Sequence, residues 1–298
     1  MTPYEALPAA LLAELEDAGL DSRRLYAQVL DALGEDLAQG GDTTSLATIG
    51  AEQFSTGEFA AREKGVVAGL GVAALVFHVV LGDDVTVSER VSDGTPVVPG
   101  QRVMVVRGPS RGLLTAERVA LNYASHLSGV ATATSLWVAA LEGTRARVLD
   151  TRKTLPGMRQ LQKYAVRCGG GVNHRFSLGD MAMVKDNHVV AAGGVVPAYE
   201  AVRAAYPDLP VEVEVTDLDQ LRALLAVGCD RILLDNMPPA VMAEAVEITA
   251  GRAVLEASGG LTLERARVVG ETGVDFISVG ALTHSVKVFD LGLDLHEE

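Results

Sequence analysis

The sequence predicts an α/β protein: a (β/α) barrel, complete or reduced to six or seven strands, preceded by an N-terminal α+β domain with an antiparallel-sheet sandwich. Three observations carry this. From Arg147 onward, short β-branched runs alternate with amphipathic stretches of about a dozen residues, the rhythm of parallel strands joined by helical crossovers. Before that point apolar and polar residues alternate singly between Gly and Pro turns, as in antiparallel strands packed on one face. The later strand-like runs all end in residues able to bind or react, which is how barrels gather a site at one end.

Taken in order, the N-terminal pieces "TGEFAAREKGVVAG" and "VTVSERVSDGTPVVPGQRVMVVRGPSRGLL" form the antiparallel part. The second is similar to the half-barrels of lipoyl and biotinyl carriers, but no lysine lies between Lys64 and Lys153. A carrier lysine is therefore excluded and a structural sheet expected. The uncharged run Gly65–Gly82 contains four glycines and a His and only just reaches membrane-spanning length, so it reads as a strand followed by a buried helix. A long helical segment, "TAERVALNYASHLSGVATATSLWVAALEG", leads into the second half. The expected domains are 1–129 and 130–283, with a tail, 284–298, returning to the first.

Within the barrel the strands are "RVLD", "MAMVKDN", "VEVEV", "RILLDN", "AVLEASGG" and "DFISVGAL", six in number. Residues 189–196 are too glycine-rich to assign. An open doubly wound sheet is the alternative, although it gathers its ligand at one switch point rather than at every strand end.

Composition narrows the partners. A chain of 298 residues, 48% hydrophobic, has enough material for well-buried cores. Its formal net charge of -14 argues against a general binder of nucleic acid or membrane surfaces. Cys168 and Cys229 show no metal-binding spacing and read as reduced thiols. The acidic N-terminus lacks the basic region of a signal peptide, so a cytoplasmic protein is expected.

Against that acidic background, Asp150 to Arg175, "DTRKTLPGMRQLQKYAVRCGGGVNHR", holds six Lys or Arg and a His after its opening Asp, with no further acid. Arg159, Lys163 and Arg167 share one helical stripe and read as a solvated face. Arg152, Lys153, His174 and Arg175 instead flank the helix, at a strand end and after a triple glycine, where an anion could be held. Lys185 interrupts an apolar run, which is costly unless it is paired. Glu212 and Glu214 alternate on one strand face and need cations or a metal. With Asp235, Glu214 suggests a carboxylate set for Mg²⁺ or ribose hydroxyls. The turn Ser258-Gly259-Gly260 opening a helix, followed by Gly280 and Ala281 in the last loop, matches the phosphate site of barrels.

These motifs, with "ERVALNYASHLSGVATAT", "MVKDNH", "LLDN", "EASGG" and "ISVGALTHS", resemble the quinolinate phosphoribosyltransferase family from about Arg62 to the C-terminus. The resemblance implies transfer of phosphoribosyl from phosphoribosyl pyrophosphate to quinolinate with loss of CO₂, giving nicotinate mononucleotide for NAD biosynthesis. It implies a homodimer in which Arg118 of one protomer joins Arg152, His174 and Arg175 of the other around quinolinate. Lys153 and Lys185 would neutralise substrate oxygens, Glu214 and Asp235 would act on the ribose or Mg²⁺, and Ser258, Gly259, Gly260, Gly280 and Ala281 would cradle the 5′-phosphate. Three rivals stand beside it. A paralogous pyrophosphorylase associated with molybdenum transport shares the pattern, but the Arg118, Arg152 and Arg175 group favours a dicarboxylate. A sugar-phosphate isomerase would need a general base that does not stand out. A non-catalytic nucleotide sensor would not need Glu214 and Asp235.

Overall fold

The computed structural model describes residues 1–38 and 40–297. The chain divides into two compact units, one of residues 1–133, 160–169 and 286–298, the other of residues 134–159 and 170–285. Gln39 and Glu298, which fall in the expected N-terminal domain and tail, lie outside the described residues.

In the first unit, strands β1 (Phe54–Ala61), β2 (Gly65–Val66), β3 (Thr86–Ser88), β4 (Pro96–Val97) and β5 (Arg102–Pro109) are antiparallel where they pair. The last strand of the chain, Leu291–Glu297, pairs with β1, extending β1-β5-β3 to a four-stranded sheet. The uncharged run does split into β2 and a helix, Leu70–Leu81, with nine buried residues. A helix apolar on nearly every side is stable only inside a core. Its first amides, Gly69 and Leu70, donate to the part-buried Asp93 carboxylate at 2.7 and 3.1 Å, which satisfies donors a helix start leaves open.

The helix Arg159–Cys168 corrects one expectation. Lys163 is fully buried rather than solvated, alongside Gln162, Leu161, Ala165 and Val166. Residues 160–168 count with the first unit, and burial on more than one side overrides the stripe read from helical spacing. Tyr164 in this helix donates to Asp93 at 2.7 Å.

The second unit contains β6 (Arg147–Leu149), β7 (Ala182–Val184), β8 (Val211–Val215), β9 (Arg231–Asp235), β10 (Val254–Ser258) and β11 (Phe276–Ser278), all parallel, in the order β6-β11-β10-β9-β8-β7. Strand order runs from β7 to β11 without reversal, so there is no switch point of the doubly wound kind. This is an α/β barrel with six strands. Beyond β6 the ladder continues as a single bridge, Leu149 to Val172. Helices follow the strands: Leu218–Ala226 after β8, Pro239–Thr249 after β9 and Leu263–Gly270 after β10. Residues 189–196 prove to be the junction of two helices, Asp186–Ala192 and Val195–Ala205, with Gly193 and Gly194 between them. Val148, Val213, Val215, Ile232, Leu234, Leu255, Ala257 and Ile277 are almost wholly buried, as strands covered on both faces require. Among the described residues no helix is long and apolar enough to cross a membrane.

Candidate functional site

Parallel strands all end on the same side, and in the second unit a cavity of about 760 Å³ opens there. Arg152, Lys153, His174, Arg175, Lys185, Glu214, Asp235, Ser258, Gly259, Gly260, Gly280 and Ala281 all line it. Arg118 does not. It is exposed on the helix Ser110–Ala140, its guanidinium 3.9 Å from Glu117.

Apart from Lys185, which follows β7, the basic groups named come from the segment after β6. Val172 donates to Val148 O at 2.8 Å, so the chain after the triple glycine runs beside β6. The buried Asp150 at the end of β6 then accepts from Asn173 Nδ2 at 2.5 Å and from the His174 amide at 2.9 Å. Those bonds aim the next residues into the cavity. Arg175 donates through Nη1 to Met181 O at 2.8 Å. Its pKa is lowered by burial and by the positive charge of Arg152 beside it. Arg152 Nε is buried and, among the described residues, has no hydrogen-bond partner. Two neighbouring guanidiniums with an unmet donor constitute an anion site with planar, bidentate geometry on offer.

The acids divide by depth. Glu214 is half-buried near the mouth, with Lys185 Nζ 3.6 Å from its Oε2. Burial raises its pKa, Lys185 opposes that, and the negative charges of Asp235 and Asp186 add to the rise. Asp235 accepts from Asn236 Nδ2 at 2.8 Å. Beneath them, Glu212 and Glu256 are each 1% exposed. His174 Nε2 lies 2.9 Å from Glu212 and 3.3 Å from Glu256, and Nδ1 accepts the Arg175 amide at 2.8 Å. Both ring nitrogens are thus engaged inside the protein.

Burial disfavours the charged imidazole, but the carboxylates of Glu212, hydrogen-bonded to it, and of Glu256, close beside it, outweigh burial and raise the His174 pKa to about 9. Burial and repulsion by Glu212 also raise Glu256, while for Glu212 the bond to His174 overcomes burial and the net shift is down. These three groups exchange protons as a set rather than one by one.

Opposite, the turn after β10 approaches Asn236 so closely that a Cβ on Gly259 would overlap the Asn236 amide, and Gly259 has φ 91°, where side chains are strained. The helix Leu263–Gly270 follows this turn. Its open amides suit a phosphate.

Sequence reasoning passed over Glu256, although "AVLEASGG" sets an acid in an apolar run just as "MAMVKDNH" sets a lysine, and the same cost of unpaired burial applies to both. It also passed over Thr151 and His284, which carry no signal beyond their place in the last loops and line the cavity.

Comparison with known proteins agrees with this picture. Residues 42–128 match the N-terminal domain, and residues 130–294 the C-terminal domain, of quinolinate phosphoribosyl transferase. A nicotinate-nucleotide pyrophosphorylase [carboxylating] of Mycobacterium leprae is 53% identical, covering 94% of this chain and all of that protein. A probable enzyme of the same name from Bacillus subtilis is 41% identical over 88% of this chain and 90% of its own. The structure of the nicotinate-nucleotide pyrophosphorylase from Francisella tularensis superposes with a TM-score of 0.87 at 38% identity, covering 92% of this chain and 96% of that one.

Proposed function

The chain belongs to the quinolinate phosphoribosyl transferase family, and on that premise we propose that its barrel cavity joins quinolinate to phosphoribosyl pyrophosphate with loss of CO₂. The observation that carries this reading is the pair Arg152 and Arg175, mutually repelling cations with a buried, unmet donor between strand ends. A pyridine dicarboxylate supplies the two anionic groups that relieve them.

Quinolinate lies with its carboxylates on Arg152 and Arg175, above the floor that His174 closes. Lys153 and Lys185 neutralise carboxylate or pyrophosphate oxygens. The amides of Ser258, Gly259 and Gly260, with Gly280 and Ala281, receive the 5′-phosphate at the turn where only glycine leaves room. Between these ends the pyridine nitrogen attacks the anomeric carbon while pyrophosphate departs, and positive charge grows on the ribose. Glu214 and Asp235 face that charge, and fixed groups directed at developing charge supply a large share of catalysis. The C–CO₂⁻ bond beside the new pyridinium then breaks, its electron pair held by the ring cation until a proton replaces CO₂.

Glu214 and Asp235 also fit a hard divalent cation, since their carboxylates face one cavity and repel each other. They would hold Mg²⁺, which when bound offsets the negative charge of pyrophosphate. Arg118 serves the neighbouring protomer of a homodimer, in keeping with its exposure outside its own chain's cavity lining. Arg118→Ala and Lys185→Ala proteins, each inactive alone, regain about a quarter of wild-type activity when re-associated in equal amounts, because half the dimers are mixed and each has one intact site. Mixed dimers verified by mass spectrometry but inactive would show that Arg118 acts within its own chain.

The central test is direct. Purified protein given quinolinate, phosphoribosyl pyrophosphate and Mg²⁺ yields nicotinate mononucleotide and CO₂. Nicotinate in place of quinolinate is turned over at least about 10⁴-fold less efficiently, because a site built to bond a missing group is left unpaired. Comparable turnover of nicotinate would reject the reading.

A further inference from the structure

At the floor of the cavity a largely buried line of polar groups ties three strands to the segment that bears the cations. Arg231 on β9 reaches Glu212 Oε1 on β8 at 3.4 Å. The other oxygen of Glu212 meets His174 Nε2 at 2.9 Å, and the same nitrogen lies 3.3 Å from Glu256 on β10. Arg231 is itself stacked over the Phe276 ring on β11, its guanidinium carbon 5.9 Å from the centroid. Among the described residues, neither oxygen of Glu256 reaches full hydrogen-bond geometry, so its strongest attachment is the approach to His174.

His174 is therefore the crossbar of the barrel interior. Its backbone amide is fixed to Asp150 on β6, and its ring is gripped from β8 and β10. The next residue is Arg175, whose amide donates to the same ring. A ring free to rotate would release that amide and loosen the backbone from which the Arg175 side chain projects toward Arg152, leaving its bond to Met181 O as the remaining anchor. Two buried acids are expensive to keep in a barrel core, and hydrophobic residues of similar size would pack there at less cost. Their retention makes sense if the orientation they impose is used.

We propose that Glu212 and Glu256 are positioning residues for the dicarboxylate end of the site: acting through His174, they hold Arg175 beside Arg152 at the spacing the substrate's two carboxylates require. This rests on the quinolinate reading above. Neither acid touches the substrate in this scheme, and neither acts on the phosphoribosyl end.

The test is a split of kinetic constants together with a double-mutant cycle. Glu256→Gln and Glu212→Gln keep size and remove the charge-assisted grip. Each is expected to raise KM for quinolinate about tenfold, lower kcat less than about threefold and leave KM for phosphoribosyl pyrophosphate within about twofold. In a His174→Gln background, Glu256→Gln is expected to add less than a further twofold, because the residue through which it acts is already gone. Unchanged KM for quinolinate, a rise in both KM values together, or full additivity with His174→Gln would overturn the proposal. If Glu256→Gln does not fold, Glu256→Asp, which keeps the charge and withdraws it by one methylene, is held to the same split. Wild-type turnover of quinolinate, measured alongside, separates failure of this proposal from failure of the substrate reading.

Discussion

The floor and the mouth of the cavity hold ionisable groups of the same kinds arranged to opposite ends. At the floor, His174, Glu212 and Glu256 are 1–7% exposed and engage one another, with Arg231 joined to Glu212. At the mouth, the nearest ion pair, Lys185 to Glu214, spans 3.6 Å with the lysine 47% exposed, and Asp235 adds repulsion. Groups paired among themselves in a low-dielectric core are set before any ligand arrives. Those left loosely paired at the mouth can respond to charge that appears only with the ligand. The difference teaches where each kind of residue should register: mouth acids in kcat, basic groups above the floor in KM, and the floor itself in stability and, through His174, in KM for quinolinate.

The sharpest way to break that comparison is at the mouth. Asp235→Asn and Glu214→Gln are each expected to lower kcat by about 10²–10³ while KM for quinolinate moves less than about threefold. Steady-state kinetics with both substrates varied decides it. Lost quinolinate binding with turnover preserved at saturation would move these acids into the carboxylate pocket.

Arg152→Ala comes next. It leaves Arg175 without its counterpart at the anion and is expected to raise KM for quinolinate about 100-fold, as losing one partner of a buried charged contact does. Calorimetric titration with quinolinate alone checks this independently of turnover.

Gly259→Ala perturbs the opposite wall. The new Cβ would overlap the Asn236 amide at a φ of 91°. A roughly tenfold higher KM for phosphoribosyl pyrophosphate is expected, with KM for quinolinate unchanged, since strain and lost room fall on the turn assigned to phosphate.

The smallest effect concerns the floor and pH. His174 titrates near 6.5 in an unfolded chain and near 9 here. The folded protein therefore binds the additional proton between these values, so the contribution is complete below about pH 6.5 and is lost as pH rises through about 9. Thermal unfolding followed from pH 6.5 to 9.5 is expected to show Tm falling by a few °C, roughly, with the slope reduced in His174→Gln. An equal slope in that variant would mean other groups carry the alkaline loss.

Much of this was legible without coordinates. The six barrel strands, the buried helix of the glycine-rich run and twelve of the thirteen candidate site residues found in the cavity follow from periodicity, from strand-end chemistry and from the resemblance those motifs carry. Arg118 is the remaining one: it lies outside its own chain's cavity lining, and no spacing within a chain would encode the contact proposed for it with a second protomer.

What only the tertiary structure decided is depth and direction. "VEVEV" puts Glu212 and Glu214 on one face, but it cannot tell that one meets His174 and Arg231 at the floor while the other faces the cavity. The helical stripe of Arg159, Lys163 and Arg167 likewise could not reveal that Lys163 is wholly buried. Local pattern follows from the backbone's own repeat, two residues in a strand and 3.6 in a helix, and is therefore written in the chain. Burial and charge pairing depend on which distant segments pack against that pattern, so Glu256, remote in sequence from His174, became part of the site only when β10 closed beside it.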